Sequence, residues 1–192
     1  MASLPPAYFD ALYGGDPDPW RFRTSAYEAA KYAATIAVLP RPRYASGLEI
    51  GCSIGVFTAL LAQRCDALVA TDVAEAALAA ARTRNRNHRH VRFERRQFPD
   101  DVPAGVFDLI VFAEMLYYLG PAALVKAAAV AASLAQPGAD IILVHWLGET
   151  PDYPLTGTAA AEGFIAAIAP EAEHVAHRAT PQYRIDHLRC RG

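Results

Sequence analysis

The nine residues VFDLIVFAE, 106 to 114, most narrow what this chain can fold into. They are largely β-branched and aromatic, and apolar side chains fall on both alternating faces of the run. A strand of that kind has to be covered on both sides, which happens in mostly parallel sheets flanked by helices. The rest of the chain supplies the alternation such a sheet needs. Short extended runs at Leu48–Ile50, Ala67–Thr71, Val91–Arg95 and IILVHWL (141–147) alternate with helical stretches. These stretches run from Val56 to about Arg64, over VAEAALAAARTR (73–84), over Pro121–Leu134 and near Thr158–Ala169. QPGAD (136–140) reads as a turn. Two extended pieces, 173–178 and 183–190, are joined by ATPQ as a closing hairpin. Residues 6 to 38 read as helix in pieces, interrupted by GGDPDPW (14–20), where glycine and proline forbid continuity. The expectation is an α/β fold in one domain over residues 1–192.

Composition excludes several function classes. A formal net charge of −2 offers no footprint for non-specific binding to nucleic acid or an acidic membrane. Seven arginines between residues 82 and 96 look like a basic stripe, but no aromatic platform accompanies them, and a solvated connector is the simpler reading. No apolar stretch of membrane-spanning length is present, and residues 1–6 lack the pattern of a secretory signal. Cys52, Cys65 and Cys190 have neither metal-ligand nor disulfide-framework spacing, which favours a reducing cytoplasm and no metal. Length and charge are compatible with a monomer or a homodimer.

In a sheet of this type the ligand sits beyond the carboxyl ends of the strands. LEIGCSIGVFT (48–58) is the first such end. A dinucleotide turn would read G-x-G-x-x-G, but Ser53 and Val56 stand where the second and third glycines belong. Glu49 would repel a diphosphate and attract an ammonium group. Asp72 ends the second strand about twenty residues after the turn, where an acid can accept from both ribose hydroxyls. Its other reading is a cap for the helix that follows. A ribose at one end and an ammonium at the other describe S-adenosylmethionine.

With ATDVAEAALAAA and FDLIVFAEMLYYL, the glycine turn resembles class I S-adenosylmethionine-dependent methyltransferases. The opening YFDALYGGDPDPWRFRTSAYEAAKY and the segment LVHWLGETPDYPLTG resemble the nodulation protein S group within them. The resemblance implies a Rossmann-like sheet of seven strands, mostly parallel, with a C-terminal antiparallel hairpin and helices on both faces. It divides the chain into an N-terminal helical lid (1–40) and a Rossmann-like core (47–192). It also implies N-methylation of the free amine of a partly deacetylated chito-oligosaccharide. O-methylation of a small metabolite, or cofactor binding without transfer, would use the same cofactor half.

Carried onto this sequence, the resemblance places Glu49, Gly51, Cys52, Ser53 and Gly55 around the methionine part of the cofactor. Asp72 falls on the ribose and Val73 against the adenine, with Gln97 and Phe98 beyond the third strand. Gln97 departs from the acid common at that position, although its carbonyl can still accept from an adenine N–H. Glu114 and Met115 fall under the sulfonium. In the lid, Trp20 would shield the site, and Arg21 or Lys31 would bind the methionine carboxylate. Glu114 and His145 are the candidates for deprotonating an amine, and His145 reads equally well as a packed structural histidine. Tyr117, Tyr118 and Trp146 could offer ring faces to a sugar or a cationic amine, or be ordinary core aromatics.

Overall fold

The computed structural model describes all 192 residues. Five strands run parallel: β1 (Tyr44–Ile50), β2 (Cys65–Asp72), β3 (Val91–Arg95), β4 (Phe107–Ala113) and β5 (Ala135–Trp146). The closing hairpin is β6 (Ala172–Ala179) and β7 (Tyr183–Cys190), and β7 lies antiparallel between β5 and β6. The order across the sheet is β3-β2-β1-β4-β5-β7-β6. This is the expected α/β arrangement of seven strands, and it turns at the β1/β4 boundary. The helices are α1 (Pro6–Gly15), α2 (Ala26–Ala37), α3 (Val56–Leu61), α4 (Glu75–Arg84), α5 (Pro121–Leu134) and α6 (Gly157–Ile168). None is long and apolar enough to cross a membrane.

β4 is buried on both faces, as its composition requires. Ile110 and Phe112 pack under α5 and α6, beside Ala127, Ala128, Ala131 and Phe164. Leu109 and Val111 point the other way, to Tyr32, Phe57 and Leu61. The period of two divides one strand between two cores. Alanines along α5 let it approach the sheet closely, and the larger rings come from β4 and α6.

Two strand boundaries differ from the sequence expectation. β1 begins at Tyr44, four residues early, because Tyr44 and Ser46 pair with Cys65 and Ala67, and Asp108 accepts from the N–H groups of Ala45 and Ser46. β5 begins at Ala135, so the Pro-Gly pair forms an irregularity inside the strand rather than a turn before it. Ala135 pairs with Phe107, Gly138 takes a φ of 72°, and regular pairing resumes at Leu109–Asp140.

Asp140, fully buried at the far end of the sheet, ties three strands together. It accepts from Tyr44 at 3.0 Å and Arg189 at 2.9 Å, and lies 2.8 Å from His187 Nε2. Burial pushes its carboxyl up, but these bonds outweigh burial and hold it below the ordinary range. Three of the seven arginines in the arginine-rich stretch pair with carboxylates within the fold. Arg82 pairs with Glu75, Arg95 with Asp10, and Arg96 with Glu94 and Asp101.

Candidate functional site

A cavity of about 340 Å³ opens where β1 to β5 end, over the switch between β1 and β4. That volume is typical of a small-molecule site, roughly 300–1,000 Å³. Its floor is the turn after β1. Gly51 has a φ of 82°, and a Cβ there would sit 3.1 Å from the Met115 Cβ, so glycine lets the turns after β1 and β4 meet. Ser53, which stands in place of a glycine, also takes a left-handed φ, of 50°. Its N–H donates to Asp72 Oδ2 at 2.8 Å, and its hydroxyl is hydrogen-bonded to that of Tyr13 on α1.

Asp72 holds the helix start and lies at the cavity as well. Its second oxygen accepts from the Ala74 N–H at 3.0 Å, at the start of α4, while the residue also lines the cavity. Burial raises its carboxyl, and backbone donors at Ala74, Ser53 and Val73 oppose that rise. Val73, Gln97 and Phe98 form the cavity wall beyond β2 and β3. Trp20 and Phe22 close it from the N-terminal segment, their rings 5.5 Å apart. Tyr117, Tyr118 and Trp146 line the opposite side, where Tyr117 stacks on Tyr153 at 5.5 Å.

Glu49 and Cys52 stand one layer deeper, around a void of about 20 Å³ that adjoins the main cavity. Glu49 is fully buried, and its Oε2 has no hydrogen-bond partner. Burial pushes its carboxyl up to about 8, and burial likewise raises the Cys52 thiol. A folded-state value near 8 against an ordinary 4.5 means that the folded chain holds the proton more tightly than the unfolded one. The associated stability is therefore complete below about 4.5 and is lost as pH rises through about 8. Glu49→Gln is expected to flatten the fall in melting temperature of the ligand-free protein across that interval. Parallel profiles for the two proteins would show that Glu49 ionises as freely folded as unfolded.

The side facing α2 carries the charge. Lys31 Nζ lies 3.0 Å from Glu28 Oε1 and in closer contact with Glu114 Oε1. Glu114 Oε2 accepts from the Tyr117 hydroxyl at 3.0 Å and from the Trp146 N–H at 2.8 Å. Glu114 itself adopts a φ of 57°. Burial pulls the Lys31 ammonium down, but Glu114 and Glu28 outweigh burial and leave its pKa above the ordinary lysine value. Lys31 thus reaches the cavity as the partner of two carboxylates, which leaves it little capacity to bind a third.

Three expected site residues lie elsewhere. Arg21 is two-thirds exposed and spends its charge on Asp16 at 3.2 Å. Gly55 is a packing glycine: with φ at 73°, a Cβ would come 2.9 Å from the Ala81 backbone, so it lets α3 start against α4. His145 is fully buried outside the cavity walls, its Nε2 accepting from the Leu116 N–H at 3.3 Å. Burial pulls the imidazole down to about 4, so near neutrality it is an uncharged prop for the turn after β4. Conversely, nothing in the residue pattern singled out Glu28, Phe9 or Tyr153, all of which line the cavity. Nor did linear spacing reveal that His174 and His177 meet Asp186 across β6 and β7, where Arg184 holds the same carboxylate.

Comparison with known proteins places this geometry. The family model described as Nodulation protein S (NodS) matches residues 15–144, about two thirds of the chain. Nodulation protein S of Bradyrhizobium diazoefficiens is 40% identical over 103 residues, 53% of this chain and 49% of that protein. The Sinorhizobium fredii protein of that name is 36% identical over 115 residues, 58% of this chain and 52% of that protein. The chain thus spans about half the length of the curated relatives it matches. Among solved structures, the N-methyltransferase NodS of Bradyrhizobium japonicum in complex with S-adenosyl-L-homocysteine superposes with a TM-score of 0.83 at 23% identity, covering 96% of this chain and 97% of that one. A candidate methyltransferase of Pseudomonas syringae gives 0.72 at 32% identity, covering 86% and 99%. By its matched family model, the chain belongs to the nodulation protein S family.

Proposed function

We propose that this chain transfers a methyl group from S-adenosylmethionine to the amine of an amino sugar or a short chito-oligosaccharide-like acceptor. The observation that carries the amine is the charge facing α2. With both carboxylates ionised, Glu28, Lys31 and Glu114 sum to one negative charge beside the aromatic faces of Tyr27, Tyr117 and Trp146. A cationic group entering there completes the balance, and ring faces add attraction of about 0.5–2 kcal/mol. A neutral hydroxyl acceptor gains neither.

The residues present suit the methyl donor. Glu49, buried beside the turn with an unpartnered Oε2, would give up its proton to pair with an ammonium group brought there, and Asp72 at the end of β2 matches a ribose. When bound, S-adenosylmethionine supplies an activated methyl on a sulfonium. The protein's own part is to position and enclose. The turns after β1 and β4 fix the donor side, and α1 with Trp20 covers the cavity against water.

Assays with methyl-labelled S-adenosylmethionine against chitosan oligomers, simple amines, phenols and carboxylic acids test the reading. Label on nitrogen of the chitosan oligomers is expected. Label found only on oxygen, or no transfer to any amine, overturns it.

A further inference from the structure

Resting on that reading, we infer that Glu28 is the group that receives the acceptor's proton before methyl transfer. An amino sugar near neutrality is partly an ammonium ion, which has no lone pair to attack a methyl carbon, so a nearby base has to take the proton. The two carboxylates facing this side of the cavity differ in what they have left to offer. Both oxygens of Glu114 are engaged, by Lys31 on one and by Tyr117 and Trp146 on the other. Glu28 uses Oε1 for Lys31; its Oε2 is buried beside Tyr32 without making a hydrogen bond, so receiving the proton takes a turn of this carboxylate toward the cavity. Lys31 stays protonated between two acids, and His145 lies outside the cavity.

The surroundings of Glu28 favour proton exchange. Its side chain is nine-tenths buried and lines the cavity between Tyr27 and Lys31. The charged and titratable groups facing it are Lys31, Tyr27 and Tyr32 from its own helix and Glu114 from the turn after β4. Burial raises its carboxyl, Lys31 offsets part of that rise, and the net position is above the ordinary glutamate value. A carboxylate moved upward is a better match for an amine.

The step balances as follows. The acceptor ammonium gives a proton to the Glu28 carboxylate, leaving a neutral amine and a carboxylic acid. The amine nitrogen then forms a bond to the methyl carbon as the carbon–sulfur bond breaks, and that bond's electron pair stays on sulfur. S-adenosylhomocysteine and a methylated ammonium result, and the carboxylic acid returns its proton to solvent.

The test compares wild type, Glu28→Gln and Glu28→Asp, using a chitosan tetramer and its fully N-acetylated counterpart. Glu28→Gln is expected to lower kcat/KM on the chitosan tetramer by about 100-fold or more, the low end of acid–base contributions. The loss should shrink as pH rises and the free amine becomes available without a base. Calorimetry in the presence of S-adenosylhomocysteine provides a second readout: Glu28→Gln weakens the chitosan tetramer about tenfold and leaves the acetylated tetramer unchanged. Glu28→Asp, which keeps a carboxylate, retains the acidic limb of the pH profile at a reduced rate. Wild-type pH dependence in Glu28→Gln, or equal weakening of both tetramers, overturns the assignment. A wild-type protein that methylates no amine overturns the underlying reading instead, and the two failures are distinct.

Discussion

Replacing Lys31 with methionine is expected to cost the fold about 3–5 kcal/mol, the loss typical when one partner of a buried ion cluster is removed. Lys31 is 1% exposed, and its two partners, Glu28 and Glu114, are 10% and 12% exposed at the side chain. Without the ammonium, two carboxylates face one another across a space that water hardly reaches. Each would resist ionisation, so the deficit should narrow as pH falls and the carboxylates protonate. Denaturant unfolding at several pH values checks both the size and the direction. Adding Glu114→Gln to the methionine variant should restore part of the loss by removing one of the opposed charges. A deficit below about 1 kcal/mol, the worth of an exposed pair, would mean that water enters and screens the cluster.

Asp72→Ala is expected to weaken binding of S-adenosylhomocysteine by about 1.5–3 kcal/mol, the worth of a hydrogen bond to a charged group. In affinity this is about ten- to 150-fold. Asp72→Asn should also bind more weakly, for a related reason. The carboxylate accepts from the N–H groups of Ser53 and Ala74 with separate oxygens. An amide has one acceptor oxygen, so one of those N–H groups would face the NH₂. The turn after β1 would then loosen even before any ribose contact is lost. Calorimetry paired with thermal melting separates the effects. Lower stability with unchanged affinity would make Asp72 an anchor of the turn alone.

Much of the fold was legible because its strongest signals are local. β3 and α5 fall on the expected residues, Val91–Arg95 and Pro121–Leu134, the second marked by a proline in its first turn. The early starts of β1 and β5 were not legible, since both depend on pairing with distant residues: Tyr44 with Cys65, and Ala135 with Phe107 across an irregularity. Pro-Gly is strong turn chemistry, and only the neighbouring strand converts it into a kink.

The site divides in the same way. Gly51, Ser53 and Asp72 follow strand ends, so chain order alone brings them to the cavity. Glu28 sits where local spacing marks no more than a helix start. Ser25 accepts from the Glu28 N–H at 3.2 Å, and Ser-x-x-Glu is the spacing of a helix-capping pair. Its side chain turns to Lys31 instead. Of the two readings of His145 the packed one fits, and sequence could not choose between them because being at a strand end does not say which way a side chain points. Arg21 was misplaced because nothing local shows that Asp16 will claim it.

Ser53 and Glu114 follow neighbouring strands at the centre of the sheet, and both hold left-handed backbone angles that side chains resist. Such angles cost of order 1–3 kcal/mol each and persist only where the surroundings enforce them. Glycine would relieve the tension at either position. Relief would also delete a hydroxyl held by Tyr13 or the carboxylate that anchors Lys31. A lineage adapting to heat therefore meets a conflict here: its most accessible gains in rigidity lie in residues that shape the crevice. Hardening of the scaffold has to come from elsewhere, such as the far end around Asp140.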